Sequence, residues 1–122
     1  MIQYVTLGTN NLAAATAFYE TLLAEFSAQR VMENERMVFW MPEGGGPGIS
    51  VCEPFDKQAA SAGNGTMVAL SAADRDQVER VYHKALELGG TSEGEPGVRG
   101  DALYAAYFRD LDGNKLVAIC FV

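Results

Sequence analysis

The sequence predicts an α+β chain of two tandem modules, each ordered strand, helix, strand, strand, strand. Together their strands form a curved mixed sheet, a trough, with the helices on its outer face. Three observations predict it. The same order of apolar patterns is written twice. Displacing the chain so that Val5 falls on Val68 also brings Leu7 onto Leu70, Tyr19 onto Tyr82 and Leu23 onto Leu86, so element order and register agree as in an internal duplication. Finally, a half-chain of ~60 residues buries too little surface to stand alone and would expose unpaired sheet edges, so the halves must share a core.

In the first half, "IQYVTLG" from Ile2 alternates polar and apolar residues as a half-buried strand does. "NNLAAATAFYETLLAEF" then repeats apolar residues at Leu12, Ala15, Tyr19, Leu22, Leu23 and Phe26, a helical spacing, with Asn10 or Asn11 placed to cap its free amides. "FSAQRVM", "MVFWMP" and "GISVCEP" follow as strands, separated by "ENER" and the "EGGGPG" reversal.

The second half opens with the strand "TMVALSA". Its helix, "DRDQVERVYHKALEL", has an apolar face of Val78, Val81, Tyr82, Ala85 and Leu86. Asp74 and Gln77 have capping-box spacing, and Gly89 and Gly90 stand where a helix end wants a left-handed residue. "TSEGEP", "LYAAYF" and "KLVAICFV" complete it, the last two joined by a turn of Asp110, Asp112, Gly113 and Asn114. The expected boundaries within this single domain are 1–56 for the first module, 57–65 for a linker and 66–122 for the second module.

Composition excludes several classes of function. A chain of 122 residues, 48% hydrophobic, fits one domain with a real core. Its net charge of −7 comes with no basic stripe, so nucleic acid is not an expected partner. No apolar run reaches the ~20 residues of a membrane helix, and the reading is a cytoplasmic protein with no membrane partner. Cys52 and Cys120 lie in apolar strand-like segments and read as buried free thiols. The Asp110–Asn114 turn lacks the further oxygen ligands of a calcium loop, and the glycine clusters at 44–48 and 63–65 precede strands rather than the helix a phosphate cradle requires.

The opening "YVTLGTNNLAAATAFYETLL", the second-half "TMVALSAADRDQVERVY" and the closing "YFRDLDGNKLVAIC" together resemble the vicinal oxygen chelate superfamily. That superfamily contains glyoxalase I, extradiol dioxygenases and the bleomycin and fosfomycin resistance proteins. The resemblance spans essentially the whole chain. Its most specific part is "RDLDGNKL", similar to the family's Asp-Pro-Asp-Gly-Asn turn with Leu111 in place of proline. It implies a homodimer, since short chains of the family commonly assemble in pairs.

Metal-dependent relatives carry a His, sometimes Gln, on the first strand of each module and a Glu on the last. The resemblance places those four positions at Tyr4, about Ser50, Met67 and Val117. None is a usual ligand of zinc, nickel, iron or manganese, so no metal and no other cofactor is expected. The competing expectation is a metal-dependent lyase, isomerase or dioxygenase whose ligands have moved to Glu53, His83 or Cys52. His83 has Glu79 and Glu87 one helical turn to either side, a spacing that equally describes a solvated helix face.

The strand parity implied by the same alignment puts Tyr4, Thr6 and Gly8 on the trough face with Met67, Ala69 and Ser71, and brings Val117, Ile119 and Phe121 to it from the last strand. Such a lining suits a small organic molecule with a few polar groups, or else simply fills the trough as core. Adjacent Phe39 and Trp40 must face opposite ways, and Trp40 is the candidate for the trough because it offers stacking area and an indole donor. Tyr104 and Tyr107 likewise oppose each other, and Tyr104 is counted among the lining residues. Arg99, in the "GEPGVRGD" loop, offers a planar fork for an anionic group, or is a solvated neighbour of Asp101.

The expected ligand-binding set is thus Tyr4, Thr6, Trp40, Met67, Ser71, Arg99, Tyr104 and Val117. The expected function is binding of a small apolar or aromatic molecule in an open trough. No nucleophile motif is present, because no histidine is spaced to activate Cys52.

Overall fold

The computed structural model describes residues 1–122. Its first module runs β1 (Tyr4–Gly8), α1 (Leu12–Ala24), β2 (Ala28–Glu33), β3 (Met37–Pro42) and β4 (Gly48–Cys52). The second runs β5 (Val68–Ser71), α2 (Arg75–Glu87), β6 (Thr91–Arg99), β7 (Leu103–Arg109) and β8 (Lys115–Phe121). Each module makes one four-stranded mixed sheet, ordered β1-β4-β3-β2 and β5-β8-β7-β6, in which only the first and last strands run parallel.

Local chemistry accounts for the elements. Asn11 caps α1 by accepting from the Ala14 amide at 3.0 Å. Asp74 caps α2 by accepting from the Gln77 amide at 2.8 Å, while the Gln77 side chain reaches back to the Ala73 amide at 2.7 Å. Gly89, at φ +100°, takes the left-handed conformation that ends α2. β6 runs further than the sequence suggested, so Arg99 ends a strand rather than sitting in a loop. The extension is irregular, its pairing with β7 slipping around Gly94 and Gly97, which is how glycines weaken a strand without abolishing it.

The two sheets are not hydrogen-bonded to each other, because β1 and β5 are both edge strands. The modules meet instead through α1 and α2 and through one core. Phe18, Tyr19, Leu22 and Leu23 of α1, Val78, Val81 and Tyr82 of α2, and the inward strand residues Leu7, Trp40, Val51, Phe108 and Leu116 belong to the same buried cluster. Neither half contains a core of its own.

Side chains of the turn before β8 close one end of the seam between β1 and β5. Asn114 donates its amide to the Gly8 carbonyl at 3.0 Å, and Asp112 accepts from the Asn10 amide at 2.9 Å. Asp110 receives the Tyr19 hydroxyl at 2.5 Å and the amides of Asp112 and Asn114, each at 2.9 Å. Burial pushes the Tyr19 phenol well above its ordinary pKa, and the neighbouring negative Asp110 adds to the effect. The turn is a clasp between modules rather than an ion site.

Candidate functional site

The helices cover one face of each sheet and leave the other bare, and strand register decides which side chains the bare face carries. In the first module Tyr4 and Thr6 from β1, Ser50 from β4 and Phe39 from β3 point to that side, with Ser50 buried beneath its neighbours and Thr6 exposed. The Thr6 and Ser50 hydroxyls are hydrogen-bonded at 2.7 Å, and the Tyr4 and Phe39 rings meet edge to face at 5.1 Å. In the second module Ala69, Val117 and Tyr107 lie side by side across β5, β8 and β7. Val117 is buried yet stands apart from the shared core, unlike its neighbours Leu116 and Ala118.

Two expected lining residues face the other way. Trp40 pairs with Ile49 and is 1% exposed on the helix side of β3. Its indole N–H donates to Glu20 of α1 at 2.6 Å and its ring lies against Tyr19. A buried indole needs an acceptor, Glu20 supplies it on the helix side, and the trough position falls to Phe39. Tyr104 also faces the helices: its hydroxyl donates to Glu79 of α2 at 2.7 Å and Arg75 stacks over its ring at 4.9 Å. The hydrogen bond to Glu79 raises the pKa of its phenol. Tyr107 is the trough tyrosine.

Sequence reasoning missed the surroundings of Tyr107. Arg99 lies 5.6 Å from the centre of that ring, and the Lys115 ammonium is also at 5.6 Å. The Arg99 guanidinium is held by the carbonyls of Glu95 at 2.6 Å and Val98 at 3.3 Å. It lies against Gly94 and Gly97, where any Cβ would approach it to 3.4 and 2.8 Å. Neighbouring Arg109 is ion-paired with Glu93 and holds that carboxyl below its usual range, with a smaller contribution from Lys115, whereas Arg99 enters no salt bridge. The alternation of tyrosine and basic residues around "RGDALYAAYFRD" was the available signal.

The four positions to which the resemblance would assign metal ligands can be tested on their chemistry. Ser50 faces Thr6 across the β1–β4 pair as Val117 faces Ala69 across β5–β8, so Ser50 and Val117 are equivalent positions, as are Tyr4 and Met67. A phenol, a hydroxyl already bonded to Thr6, a thioether and an isopropyl group do not fit a divalent ion. Within one chain no three His, Cys, Asp or Glu side chains come together. Cys52 is a free thiol at the end of β4, and Glu79 beside His83 is engaged by Tyr104.

An apolar cavity of about 590 Å³, lined from both faces of the edge strand β5 and so reached by Ala69 as well as Val68 and Leu70, opens at the far end of the seam from the Asp110 clasp. Leu23 and Phe26 of the α1 end, Trp40, Pro47, Val68 and Leu70 form its walls. It gathers three expected site residues, Trp40, Met67 and Ser71, while Tyr4, Thr6 and Val117 lie on the bare sheet face and Arg99 on the opposite sheet edge.

Residues 1–118 match the family model of the Glyoxalase/Bleomycin resistance protein/Dioxygenase superfamily. The chain belongs to that superfamily. A glyoxalase/bleomycin resistance protein from Albidiferax ferrireducens T118 is 31% identical and superposes with a TM-score of 0.89, covering 98% of this chain and 97% of its own. A glyoxalase/bleomycin resistance protein/dioxygenase family enzyme from Burkholderia phytofirmans PsJN shares the fold at 17% identity and TM-score 0.77, with 96% and 95% of the two chains covered. Lactoylglutathione lyase from Agrobacterium tumefaciens does so at 20% identity and TM-score 0.71, over 97% of this chain and 91% of that one. No curated protein sequence matches at a significant level. Superfamily membership fixes the architecture of two tandem modules and leaves the chemistry to the residues on the sheet face.

Proposed function

We propose that this chain is a glyoxalase/bleomycin-resistance-type binding protein that holds a small aromatic molecule on its bare sheet face without a divalent metal. The observation that carries this reading is the pairing, on one face, of the Tyr4–Phe39 aromatic edge with the Thr6–Ser50 hydroxyl pair, at positions whose equivalents offer no metal donor. Aromatic walls supply stacking area, and a hydroxyl pair supplies orientation at low cost. Arg99, whose guanidinium bonds only carbonyls, would receive an anionic substituent of the ligand, with Lys115 at the other side of the Tyr107 ring. Binding alone asks for no nucleophile or general base.

In this proposal the working form is a homodimer in the cytoplasm. Tyr4, Met32, Met67 and Phe121 are exposed large apolar side chains, and a face so furnished calls for cover by a second copy. No helix is long and apolar enough to cross a membrane.

A thermal-shift screen of small aromatic carboxylates and neutral aromatic compounds tests the reading, repeated on Phe39→Ala and Thr6→Val. Ligands that raise the melting temperature of the natural chain should lose that effect in Phe39→Ala. Hits unaffected by either substitution would place binding elsewhere and contradict the proposal.

A further inference from the structure

The two ends of the seam between the modules are equivalent by the internal duplication, and they are not built alike. Val5 faces Ile49 in the first module as Val68 faces Leu116 in the second, so the turn Glu43–Pro47 before β4 corresponds to the turn Asp110–Asn114 before β8. The second turn closes its end with side chains: Asp112 reaches Asn10, Asn114 reaches Gly8, and Asp110 takes the Tyr19 hydroxyl. The first turn has Gly44 and Gly45 in place of Leu111 and Asp112, and Pro47 in place of Asn114. Two glycines have no side chain to reach across, and proline has no amide to donate. Tyr82, the counterpart of Tyr19, bonds Ser92 within its own module at 2.7 Å and leaves the seam alone.

The cavity of about 590 Å³ lies where the missing clasp would sit, with Pro47 and Gly48 on one side and the end of β5 on the other. Its size is that of a small-molecule site, ~300–1,000 Å³. The walls are mostly aliphatic and aromatic, with the Ser71 hydroxyl the one polar side-chain group besides the Trp40 indole N–H, which is already bonded to Glu20. We propose that this end of the seam is a second binding site, centred on the helix side of the sheets rather than on the bare face, for a neutral, largely apolar molecule of up to three rings. No charged side chain lines it, which argues against the anionic ligands that Arg99 and Lys115 would favour on the sheet face.

Trp40 is the chain's single tryptophan and part of the cavity wall, so its emission reports occupancy directly. The probe is N-phenyl-1-naphthylamine, neutral and apolar, titrated into the full-length protein while Trp40 is excited. The expected result is saturable quenching of Trp40 with energy transfer to one probe per chain. Val68→Phe or Ala28→Phe, each filling the cavity from a different wall, should weaken binding at least tenfold, and circular dichroism confirms that the variant tested is folded. Phe39→Ala, on the other side of β3 from Trp40, should bind the probe as the natural chain does. No saturable quenching, or equal quenching in the folded filled variants, would overturn the proposal. Loss in Phe39→Ala with retention in Val68→Phe would assign the probe to the sheet face, overturning this site while supporting the first.

Discussion

The Tyr19 hydroxyl and the Asp110 carboxylate, from opposite modules and both buried, meet at 2.5 Å and join α1 to the turn before β8. Asp110 also holds the amides of Asp112 and Asn114, so one carboxylate both shapes its turn and pins it to the other half of the chain. Asp110→Ala would strand those donors in a buried site, at a cost of about 3 kcal/mol or more. Tyr19→Phe leaves the carboxylate its two backbone amides and the Asn114 side-chain amide and should cost about 1–2 kcal/mol. Urea unfolding checks both, and a larger loss for Tyr19→Phe would contradict the account.

The same pair predicts a response to alkali. The folded state raises the pKa of Tyr19, chiefly by burial, so the unfolded chain gives up this proton more readily. The stability due to neutral Tyr19 is therefore fully present below the ordinary phenol value, about pH 10, and is lost as pH rises past it. Urea midpoints measured between about pH 9 and 11 should fall more steeply in the natural chain than in Tyr19→Phe. Parallel slopes would mean that the hydroxyl is solvated.

Two glycines separate rigid from adjustable surroundings. A Cβ at Gly48 would stand 2.5 Å from the Trp40 carbonyl and 2.8 Å from the Phe39 ring, where backbone and a packed aromatic cannot yield. Gly48→Ala should cost about 1–3 kcal/mol in urea unfolding, as overpacking of a tight core site does. At Gly97 the obstacle is the end of the Arg99 side chain, which can swing away, so Gly97→Ala should change stability by less than about 0.5 kcal/mol. Because it displaces the guanidinium, Gly97→Ala should nevertheless weaken binding of any anionic aromatic found by screening, as Arg99→Ala does.

Trp40 should emit at short wavelength, as a buried indole does, and Trp40→Ala should cost about 3–5 kcal/mol. Emission typical of a water-exposed indole would contradict its placement against Tyr19 and Glu20.

The fold was legible because the duplication is written in periodic apolar residues, with caps at Asn11 and Asp74 that their spacing announces. What pattern could not settle was which of two aromatic residues of opposite parity faces the sheet's bare side. Alternation says only that Phe39 and Trp40 diverge. The choice is made by Glu20, twenty residues away in sequence, which accepts the indole proton. Tyr104 and Tyr107 divide in the same manner, by Glu79 on α2. The far-seam cavity was invisible for a related reason: it exists because the turn at 43–47 lacks side chains that its counterpart has, and that comparison needs the strand registers.

Elemental analysis by plasma mass spectrometry, on protein incubated with excess zinc, nickel, iron or manganese and then desalted, tests the central claim most directly. The donor set at Tyr4, Ser50, Met67 and Val117 predicts no stoichiometric retention of any of them, and the combined variant Tyr4→His, Met67→His, Ser50→Glu and Val117→Glu should create retention. Near one metal ion per chain in the unaltered protein would contradict the account and turn the search to metal-dependent catalysis.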